Sequence, residues 1–166
     1  MAVRAYVGMG SNLGDRLEYL RRAVERLRSL PDVTWRRNSP VYETEPVGIK
    51  EQPAFLNMVV EADVDSDAAS FLANLKSIEA ALGRTARERW GPREIDLDIL
   101  YFGSEVINDG PLRLPHPELA RRRFVLVPLR DLAPDLTDPL RKKSVKELLH
   151  ACPDSGVVRT TQLIVP

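Results

Sequence analysis

The chain has 166 residues, 43% of them hydrophobic, which is enough to bury the core of a single domain spanning 1–166. Its 24 Lys and Arg balance its 24 Asp and Glu, and a formal net charge of zero excludes a protein that works by bulk attraction to nucleic acid or to a membrane surface. One cysteine, Cys152, excludes an internal disulfide framework; with no apolar run of membrane-spanning length and no secretory core in "MAVRAYVG", a soluble cytoplasmic protein is expected.

"VRAYVGMG" reads as a short strand ending in glycines. Asn12 or Asp15 then caps a helix to about Leu30, whose apolar stripe is Leu17, Leu20, Val24, Leu27 and Leu30. "VTWRRN" is a second strand, and residues 39–53, with three prolines and a glycine, read as a long structured loop. "AFLNMVVEADV" (54–64) is a strand with Leu56, Met58, Val60, Ala62 and Val64 on one face and Phe55 and Asn57 on the other. Asp65 or Ser66 caps a second helix to about Leu82, ended by Gly83. An arginine loop (84–93) follows, and then a strand in which Ile95, Leu97, Ile99 and Tyr101 alternate with Glu94, Asp96, Asp98 and Leu100. "LPHPE" (114–118) is a turn, "RRRFVLVPLRDLAP" starts a short helix, "SVKELLHAC" is another helix, and "GVVRTTQLIVP" offers a terminal strand. The order β-α-β, β-α-β predicts an α+β fold, a ferredoxin-like split β-α-β sandwich with C-terminal additions. Helices are expected on one sheet face, leaving the other for a ligand.

The chemistry concentrates in "RWGPREIDLDIL" (89–100). An arbitrary D-x-D is often the wet face of an edge strand or a solvated turn. Here Asp96 and Asp98 share one strand face, their α carbons about 6.5 to 7 Å apart. Their like charges call for a cation, and Mg²⁺ suits a carboxylate pair completed by phosphate oxygens. Arg84, Arg87, Arg89 and Arg93 lie just upstream, and guanidinium matches phosphate geometry. A polyphosphate–metal site is the expectation. Gly83 at one end and Gly91–Pro92 at the other punctuate the arginine loop. It carries little apolar surface, so it is expected to stand open without nucleotide and to close with it. "GMGSNLGDR" (8–16) lacks the Lys-Ser/Thr pair of a P-loop and the glycine spacing of a dinucleotide fingerprint; a tight turn and helix cap is its plainer reading. Phe55 and Asn57 are either core or a recognition pair, a ring to stack a flat heterocycle and an amide to read its edge. Phe124 is either core or the opposite wall. His116, between two prolines, is either a turn histidine or a phosphate contact.

Several segments together resemble the 6-hydroxymethyl-7,8-dihydropterin pyrophosphokinase family: "GSNLGD", "YETEPVG" (42–48), "FLNMVV" (55–60), "IEAALGR" (78–84), "RWGPREIDLDIL" and "LPHPELARRRFVLVPL" (114–129). The resemblance implies that ATP's β,γ-pyrophosphoryl group passes to the pterin hydroxymethyl oxygen and AMP leaves. Two Mg²⁺ would sit on Asp96 and Asp98, with Arg89 and Arg93 stabilising the transition state. The implied pterin set is Thr44, Glu45, Pro46, Val47, Phe55, Asn57, Trp90, Asp96 and Phe124. The implied ATP set is Lys76, Glu79, Arg84, Arg89, Trp90, Arg93, Ile99, Arg113, His116 and Arg122. ATP and the pterin are the expected partners, and a monomer is expected. The chain departs from the family pattern in "RTARERW", one residue shorter, and in "GPLRLPH", where a basic residue and a threonine usually precede the histidine.

A Mg²⁺-dependent nucleotidyltransferase or phosphodiesterase would use the same carboxylates but leave pyrophosphate rather than AMP. An RNA-recognition module on this topology would need more stacking aromatics than Phe55 and no acids on the ligand face.

Overall fold

The computed structural model describes residues 1–85, 89–163 and 165–166. Strand β1 (Val3–Ser11) leads to helix α1 (Arg16–Arg28), then to β2 (Val33–Asn38), β3 (Tyr42–Thr44) and β4 (Phe55–Val64). Helix α2 (Ala68–Ala81) and β5 (Asp96–Phe102) complete the core. A hairpin of β6 (Ile107–Asp109) and β7 (Leu112–Leu114) follows, then a 3-10 turn at Leu119–Arg121, α3 (Arg123–Leu132), α4 (Val145–His150) and β8 (Val158–Thr160). The sheet order is β5-β1-β4-β3-β8, with β2 also on β4, and every pairing is antiparallel. The ferredoxin-like reading therefore holds. The segment expected as a loop from 39 to 53 contains β3, because β4 is long enough to pair with β2 along Val60–Val64 and with β3 along Phe55–Asn57. Of the two expected caps of α1, Asp15 serves, accepting from the Glu18 N–H. For α2 the cap is Asp67, not Asp65 or Ser66, since its carboxylate reaches the Ser70 N–H at 2.7 Å.

Alternation on the strands sorts the two faces. Val7, Met9, Met58, Val60, Leu97 and Ile99 pack under α1 and α2 with Leu20, Val24, Leu27, Phe71 and Leu75. The opposite face is not open throughout, as the sequence suggested. Tyr6, Val59, Leu100 and Tyr101 there are apolar enough to need cover, and α3 and α4 supply it through Val125, Leu126, Leu129, Val145 and Leu148. The Tyr101 hydroxyl donates to the fully buried Asp138 at 2.7 Å, tying the 138–141 turn to β5. What remains uncovered is one end of that face. There β1 presents glycine, β4 presents Asn57, and β5 presents Asp96 and Asp98.

Candidate active site

That open end is a cleft whose lining runs from Thr44, Phe55 and Phe124 to Arg84, His116 and Arg122. Where β1 crosses its floor, glycine leaves the backbone bare. On β1, Gly10 lies between Asp96 on one neighbour and Asn57 on the other, and Gly8 lies between Asp98 and Val59. A Cβ on Gly10 would stand 2.5 Å from the Asn57 Oδ1 atom, so no other residue fits without displacing that amide. Gly8 and Gly10, the glycines of the strand read in "VRAYVGMG", thus lie within β1 and hollow out the ligand face, while the turn and cap read in 8–16 begin only after Ser11. Asn12, first read as a helix cap, is a clamp. Its backbone N–H donates to the Arg93 carbonyl at 3.0 Å, its Oδ1 accepts from the Arg93 N–H at 2.8 Å, and its Nδ2 donates to Gln52 and to the Pro53 carbonyl. It locks the start of the aspartate strand to the loop before β4.

At one end of the cleft, Phe55, Asn57, Thr44, Glu45, Val47 and Phe124 form a slot. The Asn57 Nδ2 group donates to the Thr44 Oγ1 atom at 2.7 Å, fixing the amide, and both residues are buried. The other end holds Arg84, Arg89, Trp90, Arg93, Asp96, Asp98, His116 and Arg122. Burial, and then the charge of Asp98, push the Asp96 carboxyl up to about 6; burial also raises Asp98. Arg84 approaches Asp96 at 3.6 Å. Arg89 and Arg122 lie over the Trp90 ring, at 4.9 and 5.3 Å from its centroid, and Arg122 is also 5.7 Å from that of Phe124. The Arg93 guanidinium reaches the carbonyls of Gly91 and Pro92. The His116 Nδ1 atom accepts from the Glu118 N–H at 3.1 Å, which leaves the proton on Nε2; burial, then Arg122, hold its pKa down at about 4. His116 is therefore a neutral donor.

Five expected site residues lie outside the cleft. Ile99 alternates with Asp98 and so points into the helix-side core. Glu79 is buried against the edge of β5, accepting from the Leu97 N–H at 2.7 Å and pairing with Lys76 at 3.2 Å, so it holds the aspartate strand in place. Lys76 sits on the outer side of α2, Arg113 is exposed on β7, and Pro46 is buried behind its neighbours. Of the arginine loop, Arg87 lies outside the described residues. Trp90 is 38% exposed but anchored: Gln52 donates to its carbonyl at 2.8 Å, and its backbone adopts a left-handed φ of 67° against Gly48.

Among the described residues no three His, Cys, Asp or Glu side chains converge as a metal cage. Two half-buried carboxylates with raised proton affinity, facing a cleft, instead fit a hard cation that completes its shell with phosphate oxygens and water. Acids on the sheet face, arginines and two lining phenylalanines in one cleft suit an enzyme of phosphoryl-group transfer between small molecules. The sequence model of the 7,8-dihydro-6-hydroxymethylpterin pyrophosphokinase family matches residues 6–134, and the chain belongs to that family. A Bacillus subtilis protein named 2-amino-4-hydroxy-6-hydroxymethyldihydropteridine pyrophosphokinase is 47% identical over 128 residues, covering 77% of each chain. The Pseudomonas aeruginosa protein of the same name is 41% identical over 159 residues, 96% of this chain and 98% of its own. Wild-type Plasmodium falciparum HPPK-DHPS, solved with STZ-DHP, is similar at a TM-score of 0.73 and 16% identity, a likeness of fold. The match covers 91% of this chain and 43% of that longer one.

Proposed function

We propose that the cleft carries out the family's reaction: ATP's β,γ-pyrophosphoryl group passes to the hydroxymethyl oxygen of 6-hydroxymethyl-7,8-dihydropterin, in folate biosynthesis. The oxygen bonds to the β-phosphorus and its proton is released to solvent, the bond from that phosphorus to the α,β-bridging oxygen breaks, and AMP leaves with the bridging oxygen. The observation that carries this reading is one cleft lined both by Phe55, Asn57 and Phe124 and by an acid–arginine set, across the Gly8 and Gly10 positions of β1.

Phe55 and Phe124 wall the pterin, and Asn57 with the 44–47 backbone reads its edge. Asp96 and Asp98 would hold Mg²⁺, two ions by the family resemblance, whose chemistry is to neutralise charge on the phosphate oxygens. Arg89, Arg93 and Arg122 orient the polyphosphate, and the neutral His116 donates to it through Nε2. The whole chain 1–166 is one domain acting as a monomer; β8 lies in the same sheet as β1, which supports the single-domain reading. No helix among the described residues is long and apolar enough to cross a membrane. The test is to incubate the protein with ATP, Mg²⁺ and the hydroxymethyl pterin, with a chelator control. AMP and a pterin diphosphate are expected; release of free pyrophosphate or ADP would overturn the reading, and full activity with chelator would overturn the metal assignment.

A further inference from the structure

We propose that the segment 154–158 is a strap that sets the width of the acceptor slot, with Asp154 as its positioning residue; this rests on the assignment of the slot to the pterin. Helix α3, which carries Phe124 in its first turn, has no side-chain cap from Arg122. Its Arg123 N–H is satisfied instead by the Asp154 Oδ2 atom at 3.0 Å, from 31 residues further along the chain. A carboxylate there also meets the positive end of the helix dipole. The other oxygen, Oδ1, accepts from the Gly156 N–H at 2.7 Å and turns the chain. The next residue, Val157, donates its N–H to the Glu45 Oε1 atom at 2.6 Å and accepts from the Glu45 N–H. From there β8 pairs with β3, Val158 opposite Thr44.

Five consecutive residues thus hold both rims of the slot: the wall with Phe124 and the edge-reading stretch at Thr44 and Glu45. At its far end α3 is tied to β3 directly, by the Tyr42 hydroxyl donating to Asp131. At the slot end that tie runs through the strap. There is no slack in the turn, since a Cβ on Gly156 would stand 2.9 Å from the Asp154 Oδ1 atom and 3.3 Å from the Glu45 Oε1 atom. Asp154 touches neither reacting group, so its effect should fall on acceptor binding alone.

The test compares Asp154→Ala, Asp154→Asn and Phe55→Ala in the full chain, measuring thermal midpoint, kcat, and separate KM values for pterin and ATP. Asp154→Ala should raise the pterin KM about tenfold, the scale of one lost charge-assisted hydrogen bond, with kcat and the ATP KM unchanged. Asp154→Asn, which keeps one acceptor oxygen, should fall between it and the parent. If Phe55→Ala raises the pterin KM and Asp154→Ala only lowers the thermal midpoint, the strap is merely structural and the proposal fails alone. If neither variant moves the pterin KM, the slot assignment fails and the strap fails with it.

Discussion

The two ends of the cleft are built differently. The slot is complete in the protein by itself: Asn57 is held by Thr44, Thr44 by β4 and β8, Glu45 by Val157, and Phe124 by the start of a packed helix. The acid–arginine end is left electrically unfinished. Asp96 and Asp98 are pushed toward protonation by burial, and Arg89 and Arg122 rest on the Trp90 ring. Shape can be paid for once, during folding, whereas on the proposed function the charge would be balanced only by an arriving metal–polyphosphate. Damage to the first end should therefore appear in acceptor affinity, and damage to the second in turnover.

The largest effect should come from the acids. Asp96→Asn and Asp98→Asn should each lower kcat by on the order of 1000-fold. The fold should not suffer, because each change removes a carboxylate whose ionised form is disfavoured by its surroundings. A thermal midpoint equal to or above the parent's, beside collapsed turnover at saturating Mg²⁺, is the expected pair. Undiminished turnover in either variant would show that the carboxylates are structural.

Next is the floor. Gly10→Ala places a methyl carbon 2.5 Å from the Asn57 amide oxygen, inside van der Waals contact, and a strand paired on both sides cannot retreat. The amide must swing away from Thr44, so pterin affinity should fall about 100-fold, while nucleotide affinity holds. In an Asn57→Ala background the same change should cost little further affinity. An equal loss in both backgrounds would mean that the methyl blocks the cleft directly.

Phe55→Ala tests the slot wall at a smaller scale. Phe55 is half-buried at the mouth, so its loss should weaken pterin binding by about 1 to 3 kcal/mol and leave the helix-side core intact. If titration calorimetry finds parental pterin affinity in a protein of much lower thermal midpoint, the ring belongs to the core instead.

Much of this was legible in the sequence where periodicity and chemistry coincide. The strand of Asp96 and Asp98, the opposite facing of Asn57 and Met58, and the Leu20–Leu27 stripe follow from spacing alone. Three features did not, because they depend on pairings remote in sequence. Gly10 looks like the mere end of a strand before a turn until it is known to lie between Asn57 and Asp96. Asn12 looks like a cap until Arg93 and Gln52 converge on it. The cover over half of the ligand face comes from α3 and α4, whose stripes show that they bury something but not what. Ile99 shows the reverse limit, since family resemblance attaches ATP to a position whose side chain is in the helix-side core.

The smallest expected effect concerns His116, the group at the acid–arginine end that is fully set before ligand arrives. Its pKa of about 4 lies below the roughly 6.5 of an unfolded chain. Between those values the unfolded state binds a proton that the folded state refuses, so stability rises with pH there. The contribution is complete above about pH 6.5 and is lost as pH falls through 4. His116→Gln keeps an acceptor for the Glu118 N–H but has no proton to take up. Between pH 7 and 4 the parent should therefore lose stability relative to this variant, by on the order of 1 kcal/mol once solvent screening at a half-buried ring is allowed for. Denaturant titrations of both proteins across that range measure the difference. A gap that stays constant with pH would mean that the imidazole protonates freely in the fold. The acid–arginine end would then carry an extra positive charge in mild acid, and its contrast with the slot would weaken.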